Sequence, residues 1–170
     1  YMKVIERSVS DMQKIVGNMF ELLTIEHTNL PLEIEATDMN ELLTEIYEEF
    51  RISSSEDTRE QRVLLDIGPK QMQIQADRRR VKCLISHIVQ IAKKFTPDQG
   101  EITITTKDDD KFFIVSIKDT GIGIPADEIG NIFKEFYYNG NVDGHHTSDT
   151  AFMGRGLGLG LPISLAIAEA

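Results

Sequence analysis

Apolar residues recur at Met2, Ile5, Val9, Met12, Val16, Met19 and Leu23, separated by alternating steps of three and four. This 3.5-residue period is the seam of a coiled coil or helical bundle and predicts a long N-terminal helix with a partner helix. An amphipathic helix packed on its own domain is the commoner source of such a stripe, but the unbroken period favours the bundle. The helix is expected to stop at Asn29 and Pro31, since proline disfavours helical geometry in the residue before it, and LEIEA then alternates like a short strand. The chain therefore divides into a helical segment, 1–30, and a domain, 31–170.

Within the domain, Asp38 precedes an apolar face at Leu42, Leu43, Ile46 and Phe50, with Glu41 placed to complete a capping box, so a helix begins there. After the polar connector SSSEDTREQ, VLLDI and MQIQA read as short strands, and Gly68-Pro69 between them predicts a hairpin. Helical spacing returns from Arg78 to Ala92. Two further strands, EITITTK and FFIVSIKD, follow across an Asp-rich turn. Residues 137–156 have no period and are rich in Gly, Asn, Asp, Ser and Thr, as in a functional loop, and LPISLAIAEA closes as an apolar helix. The expected architecture is α+β, a two-layer sandwich with a mixed sheet covered by helices on one face, preceded by the long N-terminal bundle helix.

Composition narrows the function. A net charge of −10 and a pI near 4.8 argue against nucleic-acid binding, which needs a basic face to displace counterions. The single cysteine, Cys83, lies in an apolar stretch, which excludes a disulfide framework or a thiolate metal site and suits a reducing, cytoplasmic setting. No apolar run is long enough to span a bilayer, so no membrane contact by this segment is expected, whatever anchors a longer parent protein.

Two glycine-rich boxes carry the chemistry. In Asp119-Thr120-Gly121-Ile122-Gly123-Ile124-Pro125, directly after a strand, a carboxylate can accept a hydrogen bond from an exocyclic amine while glycines let the backbone approach a flat base. A plain strand-ending turn would use the same glycines. In Gly154-Arg155-Gly156-Leu157-Gly158-Leu159-Gly160-Leu161, before the last helix, backbone N–H groups form an anion site to which Arg155 adds charge. Neither the P-loop nor the dinucleotide fingerprint fits. Adjacent His145 and His146 with Asp143 and Asp149 resemble a metal cluster only loosely, and solvated loop histidines are the commoner case.

With Ile132-Phe133-Lys134-Glu135-Phe136-Tyr137 between them, these boxes resemble those of sensor histidine kinases in letters, order and spacing. The helix-and-strand stretch ADRRRVKCLISHIVQIAKKFTPDQGEITI and the entry LEIEATDMNELLTEI resemble the same family, so the likeness covers nearly the whole chain. It implies the ATP-binding fold of that family. Asp119 would bind the adenine amino group, Gly121, Gly123 and Ile124 would belong to the base pocket, and Phe95 would line it. Lys94, Arg155, Gly156, Gly158 and Gly160 would hold the phosphates. Phe133 and Phe136 would anchor the base of a lid with Leu161 beneath it, though core packing explains the two phenylalanines equally well. His87 matches a position where the family has His or Asn and is the candidate catalytic residue, orienting phosphate or a water.

The sequence departs from the family pattern at two positions. Ile91 stands where an asparagine helps hold Mg²⁺, and Tyr138 where many members place an arginine for the γ-phosphate. The implied cofactor is ATP, with Mg²⁺ in question at Ile91. The implied partners are a second copy, through the helical hairpin, and a response regulator or partner kinase. None of the four histidines is followed by an acidic residue, as the family's phosphoacceptor is, so the acceptor is expected outside this chain. Transfer of the γ-phosphoryl group of ATP to that histidine is the first reading. The second is a signalling module that binds nucleotide or a partner kinase without efficient catalysis, and a gyrase or heat-shock type ATPase clamp is the third.

Overall fold

The computed structural model describes residues 32–54, 60–68, 72–109, 111–137 and 158–170, together with Val9, Met12, Gln13, Val16 and Gly17. Those five N-terminal residues are helical, and Val9, Met12 and Val16 of the expected seam are exposed. Most of the expected N-terminal helix, most of the polar connector and residues 138–157, which hold nearly all of the expected loop, lie outside the described residues, as do Tyr138, Asp143, His145, His146, Asp149, Arg155 and Gly156.

Among the described residues the domain has five strands and three helices: β1 (Glu35–Asp38), α1 (Met39–Ser54), β2 (Arg62–Asp66), β3 (Gln73–Ala76), α2 (Arg78–Phe95), β4 (Glu101–Asp108), β5 (Phe113–Asp119) and α3 (Gly160–Glu169). Helix α1 starts where the sequence places it, because Asp38 Oδ1 accepts from Asn40 N at 2.9 Å and Glu41 N at 3.2 Å. Asp77 does the same for α2, accepting from Arg80 N at 3.1 Å.

The main sheet has the order β2-β4-β5, with β2 parallel and β5 antiparallel to β4, so it is mixed. Leu42, Leu43 and Ile46 of α1 and Ile85, Val89 and Ala92 of α2 bury against Ile102 and Ile104 of β4, with Val63, Leu65, Val115 and Ile117 at the margin. On the opposite face Leu64 and Ile114 are exposed, so the described helices cover one face of the sheet.

The expected hairpin between VLLDI and MQIQA does not form. β3 pairs antiparallel with β1, while β2 pairs in parallel with β4, Val63 opposite Ile102 and Leu65 opposite Ile104. The turn signal at Gly68 is spent elsewhere: Gly68 N donates to Thr106 Oγ1 at 3.1 Å and Gly68 O accepts from Asn40 Nδ2 at 3.0 Å. Met39 N then donates to Met72 O at 2.8 Å, fixing the approach to β3 against the start of α1. Val63 and Leu65 of β2 thereby stand beside the fully buried Ile102 and Ile104 of β4, while Met72 and Ile74 reach the same core from the β1–β3 side.

An ion-pair cluster joins α1 to α2. Glu45 meets Arg78 at 2.7 Å and Lys82 at 2.6 Å, and Lys82 also meets Glu49 at 2.7 Å. The Lys82 hydrogen bond, then that of Arg78, holds the Glu45 carboxyl below the usual carboxylate range. A lowered folded-state pKa stabilises the fold above the unfolded carboxylate range, and that contribution is lost as pH falls through the folded value. Glu45 is more than a third exposed, so solvent screens the cluster. Glu45→Gln is expected to cost about 0.5–1 kcal/mol at neutral pH and progressively less as pH falls below the ordinary carboxylate range, as checked by urea unfolding across that range.

Candidate nucleotide site

The base-side box begins where β5 ends. Asp119 lies opposite Ile102 at the start of β4, and the next residue locks the strand end: Thr120 N donates to Glu101 O at 3.0 Å while Glu101 N donates to Thr120 Oγ1 at 2.9 Å. Asp119 itself is exposed, and its Oδ1 accepts from Gly121 N at 2.8 Å. A carboxylate has two acceptor oxygens, so Oδ2 can take a second donor while Oδ1 holds the turn.

Gly121 is required by close approach. A Cβ there would lie 2.6 Å from Phe95 O at the end of α2, and Ile122 N donates to that same carbonyl at 3.3 Å. Gly123 is required by conformation, with φ of 71°, the left-handed region that disfavours side chains. Ile122 and Ile124 beyond it are exposed, an apolar edge for a flat ring.

The phosphate-side box is described from Gly158 onward. Gly158 has φ of 69°, and a Cβ there would lie 2.6 Å from Tyr137 O, so the box closes against the end of the segment carrying Phe133 and Phe136. Gly160 opens α3, with a virtual Cβ 3.7 Å from His87 Cβ and 3.8 Å from Ile91 Cδ1. Ser164 fastens α3 to α2, its Oγ lying 3.3 Å from Leu84 O and 2.9 Å from Gly160 O.

Helix α2 thus connects the two boxes. His87, Ile91 and Phe95 are four residues apart and share one face, so His87 and Phe95 are separated by about 12 Å of helix rise. The Phe95 end meets the Asp119 turn and the His87 end meets the start of α3. Lys94, in the last turn, has its Nζ 5.5 Å from the Phe95 ring centroid.

Leu159, which the sequence did not single out, is fully buried with Ile163 against Cys83 and Ile167, whereas Leu161 is half-buried in the first turn of α3. Phe133 and Phe136 are exposed, so neither is a core aromatic. Phe133 sits in a turn in which Lys134 N donates to Asn131 O at 2.9 Å, and Phe136 in the next, in which Tyr137 N donates to Lys134 O at 3.2 Å. Phe133 lines an open groove with Pro162, Leu165 and Ala166, away from the Asp119 turn.

The residues fit an adenine nucleotide: one carboxylate oxygen is available beside a turn that only glycine permits, and a helix N-terminus faces His87. Ile91, on the face of α2 between the two boxes, has no lone pair to offer a Mg²⁺. Among those residues no helix is long and apolar enough to cross a membrane.

The profile of the family described as histidine kinase-, DNA gyrase B- and HSP90-like ATPases matches residues 76–170. The chain belongs to that family. The phosphate regulon sensor protein PhoR of Pseudomonas aeruginosa is 29% identical over 158 residues, covering 93% of this chain and 33% of PhoR. The chain therefore spans about a third of the length of this curated relative. Among solved structures, full-length ShkA in complex with AMPPNP superposes with a TM-score of 0.78 at 21% identity, over 99% of this chain and 33% of ShkA. Histidine kinase ThkA in complex with the response regulator TrrA gives 0.66 at 26% identity, over 81% of this chain and 40% of ThkA.

Proposed function

We propose that residues 31–170 are the ATP-binding domain of a two-component sensor histidine kinase and that residues 1–30 belong to the second helix of its dimerisation hairpin. The observation that carries this reading is the single face of α2 that meets the Asp119–Gly121 turn at one end and the Gly160 helix start at the other. In the bound complex Asp119 Oδ2 accepts from the adenine 6-amino group, and Gly121, Gly123 and Ile124 shape the ring's seat beside Phe95. The N–H groups at Gly156, Gly158 and Gly160, with Lys94 and Arg155, hold the phosphates, and His87 orients the terminal one.

The acceptor imidazole nitrogen, on a histidine outside this chain, attacks the γ-phosphorus. The bond from that phosphorus to the β,γ-bridging oxygen breaks, and ADP leaves with the electron pair. Positioning and neutralisation of charge do most of this work. Any Mg²⁺ would neutralise phosphate oxygens, and Ile91 gives it no ligand. The partners are a second copy of the parent protein through the hairpin and a response regulator that receives the phosphoryl group. The kinship with named sensor kinases gives no support to a module without catalysis.

The test is incubation of the full-length protein with γ-labelled ATP, scoring acid-labile, base-stable phosphate on histidine. Label retained by the wild type and absent from Asp119→Asn is expected. No histidine-bound label under conditions where ATP binds would contradict the proposal.

A further inference from the structure

The segment leading into β2 is fastened along its length to the end of α2 and the loop that follows it. Glu60 N donates to Asp98 Oδ1 at 2.8 Å, Gln99 N to Glu60 O at 3.1 Å, and Arg62 N to Gly100 O at 2.9 Å. Between these, the half-buried Gln61 donates from Nε2 to Lys93 O at 2.9 Å and also to Thr96 O. One amide nitrogen therefore ties together two carbonyls that bracket Phe95 in sequence, at a helix end whose carbonyls lack intrahelical partners.

The carbonyl of Phe95 is the one on which the base-side turn rests. It accepts from Ile122 N at 3.3 Å and stands 2.6 Å from the Cβ position of Gly121, whose N–H in turn donates to Asp119 Oδ1 at 2.8 Å. Contacts thus run without a gap from Gln61 through the end of α2 to the carboxylate at the end of β5.

We propose that Gln61 is a positioning residue for purine recognition: by fixing the end of α2 it sets the Phe95 carbonyl, and through it the orientation of Asp119 that distinguishes a 6-amino purine from a 6-oxo purine. This rests on the adenine reading of the site. A 6-amino group donates to the carboxylate, whereas a 6-oxo group sets oxygen against oxygen, so discrimination depends on where the carboxylate stands.

Gln61→Glu keeps the shape but turns a donor into an acceptor facing two carbonyls. Gln61→Lys restores donors and places a cation at the negative end of the helix. The experiment is calorimetric titration of the 170-residue chain with ADP and with inosine diphosphate, for wild type, both variants and Asp119→Asn. Gln61→Glu is expected to lower ADP affinity about tenfold with little change for inosine diphosphate, narrowing the ratio, and Gln61→Lys to return ADP affinity to within about threefold of wild type.

An unchanged ADP-to-inosine-diphosphate ratio in Gln61→Glu, whether both affinities fall together or neither moves, would overturn the proposal. Should that variant lack a native circular dichroism spectrum, Gln61→Met, which removes the donor without adding charge, takes its place with the same two outcomes. If the wild type binds both nucleotides alike and Asp119→Asn changes nothing, the adenine reading fails and the role of Gln61 fails with it.

Discussion

Asp119→Asn is expected to weaken ADP binding by about 30-fold or more, measured by calorimetry, while leaving the thermal midpoint nearly unchanged. The substitution is isosteric, so the loss comes from counting acceptors. The carboxylate uses Oδ1 for Gly121 N at 2.8 Å and keeps Oδ2 for the base. Asparagine has one oxygen and one donor NH₂, so either the turn or the adenine amine faces a donor. Asp119 is exposed, and the strand end is held independently by Thr120 and Glu101, so folding does not depend on the lost bond.

Gly121→Ala is expected to abolish measurable ADP binding and to lower stability by about 1–3 kcal/mol in urea unfolding. The new Cβ would lie 2.5 Å from Asp119 Oδ1 and 2.6 Å from Phe95 O. The carboxylate can swing away, and in doing so it leaves its seat. The Phe95 carbonyl belongs to a helix end held by Thr96 N donating to Ala92 O at 3.0 Å, so the turn must move instead. Gly130, with no atom within 4 Å of its Cβ position, supplies the contrast: Gly130→Ala should leave ADP affinity unchanged.

Much of the backbone geometry at the two glycine boxes was legible because its demands are local. Gly123 and Gly158, with φ of 71° and 69°, are backbone positions that only glycine takes freely, and a carboxylate ending an apolar strand reads as a recognition group. The cap Asp38 and the buried stripe of α1 follow the same local rules. Strand pairing was not legible, because Gly68-Pro69 signals a turn whatever its strands pair with, and the parallel match of β2 to β4 spans a whole helix. Gln61 was hidden for a related reason. In sequence it ends a polar connector, and only tertiary contact shows its amide reaching two carbonyls of α2. Leu159 likewise looked like a spacer between glycines, yet it is buried under Cys83.

The central claim, that the two glycine boxes joined by α2 form one adenine-nucleotide pocket, is tested most directly by titrating the chain with ADP in a calorimeter, with Asp119→Asn alongside. Saturable binding of one ADP per chain, sharply weakened in the variant, is the expected result. Absence of binding by a folded wild type, or equal binding by both proteins, would contradict it.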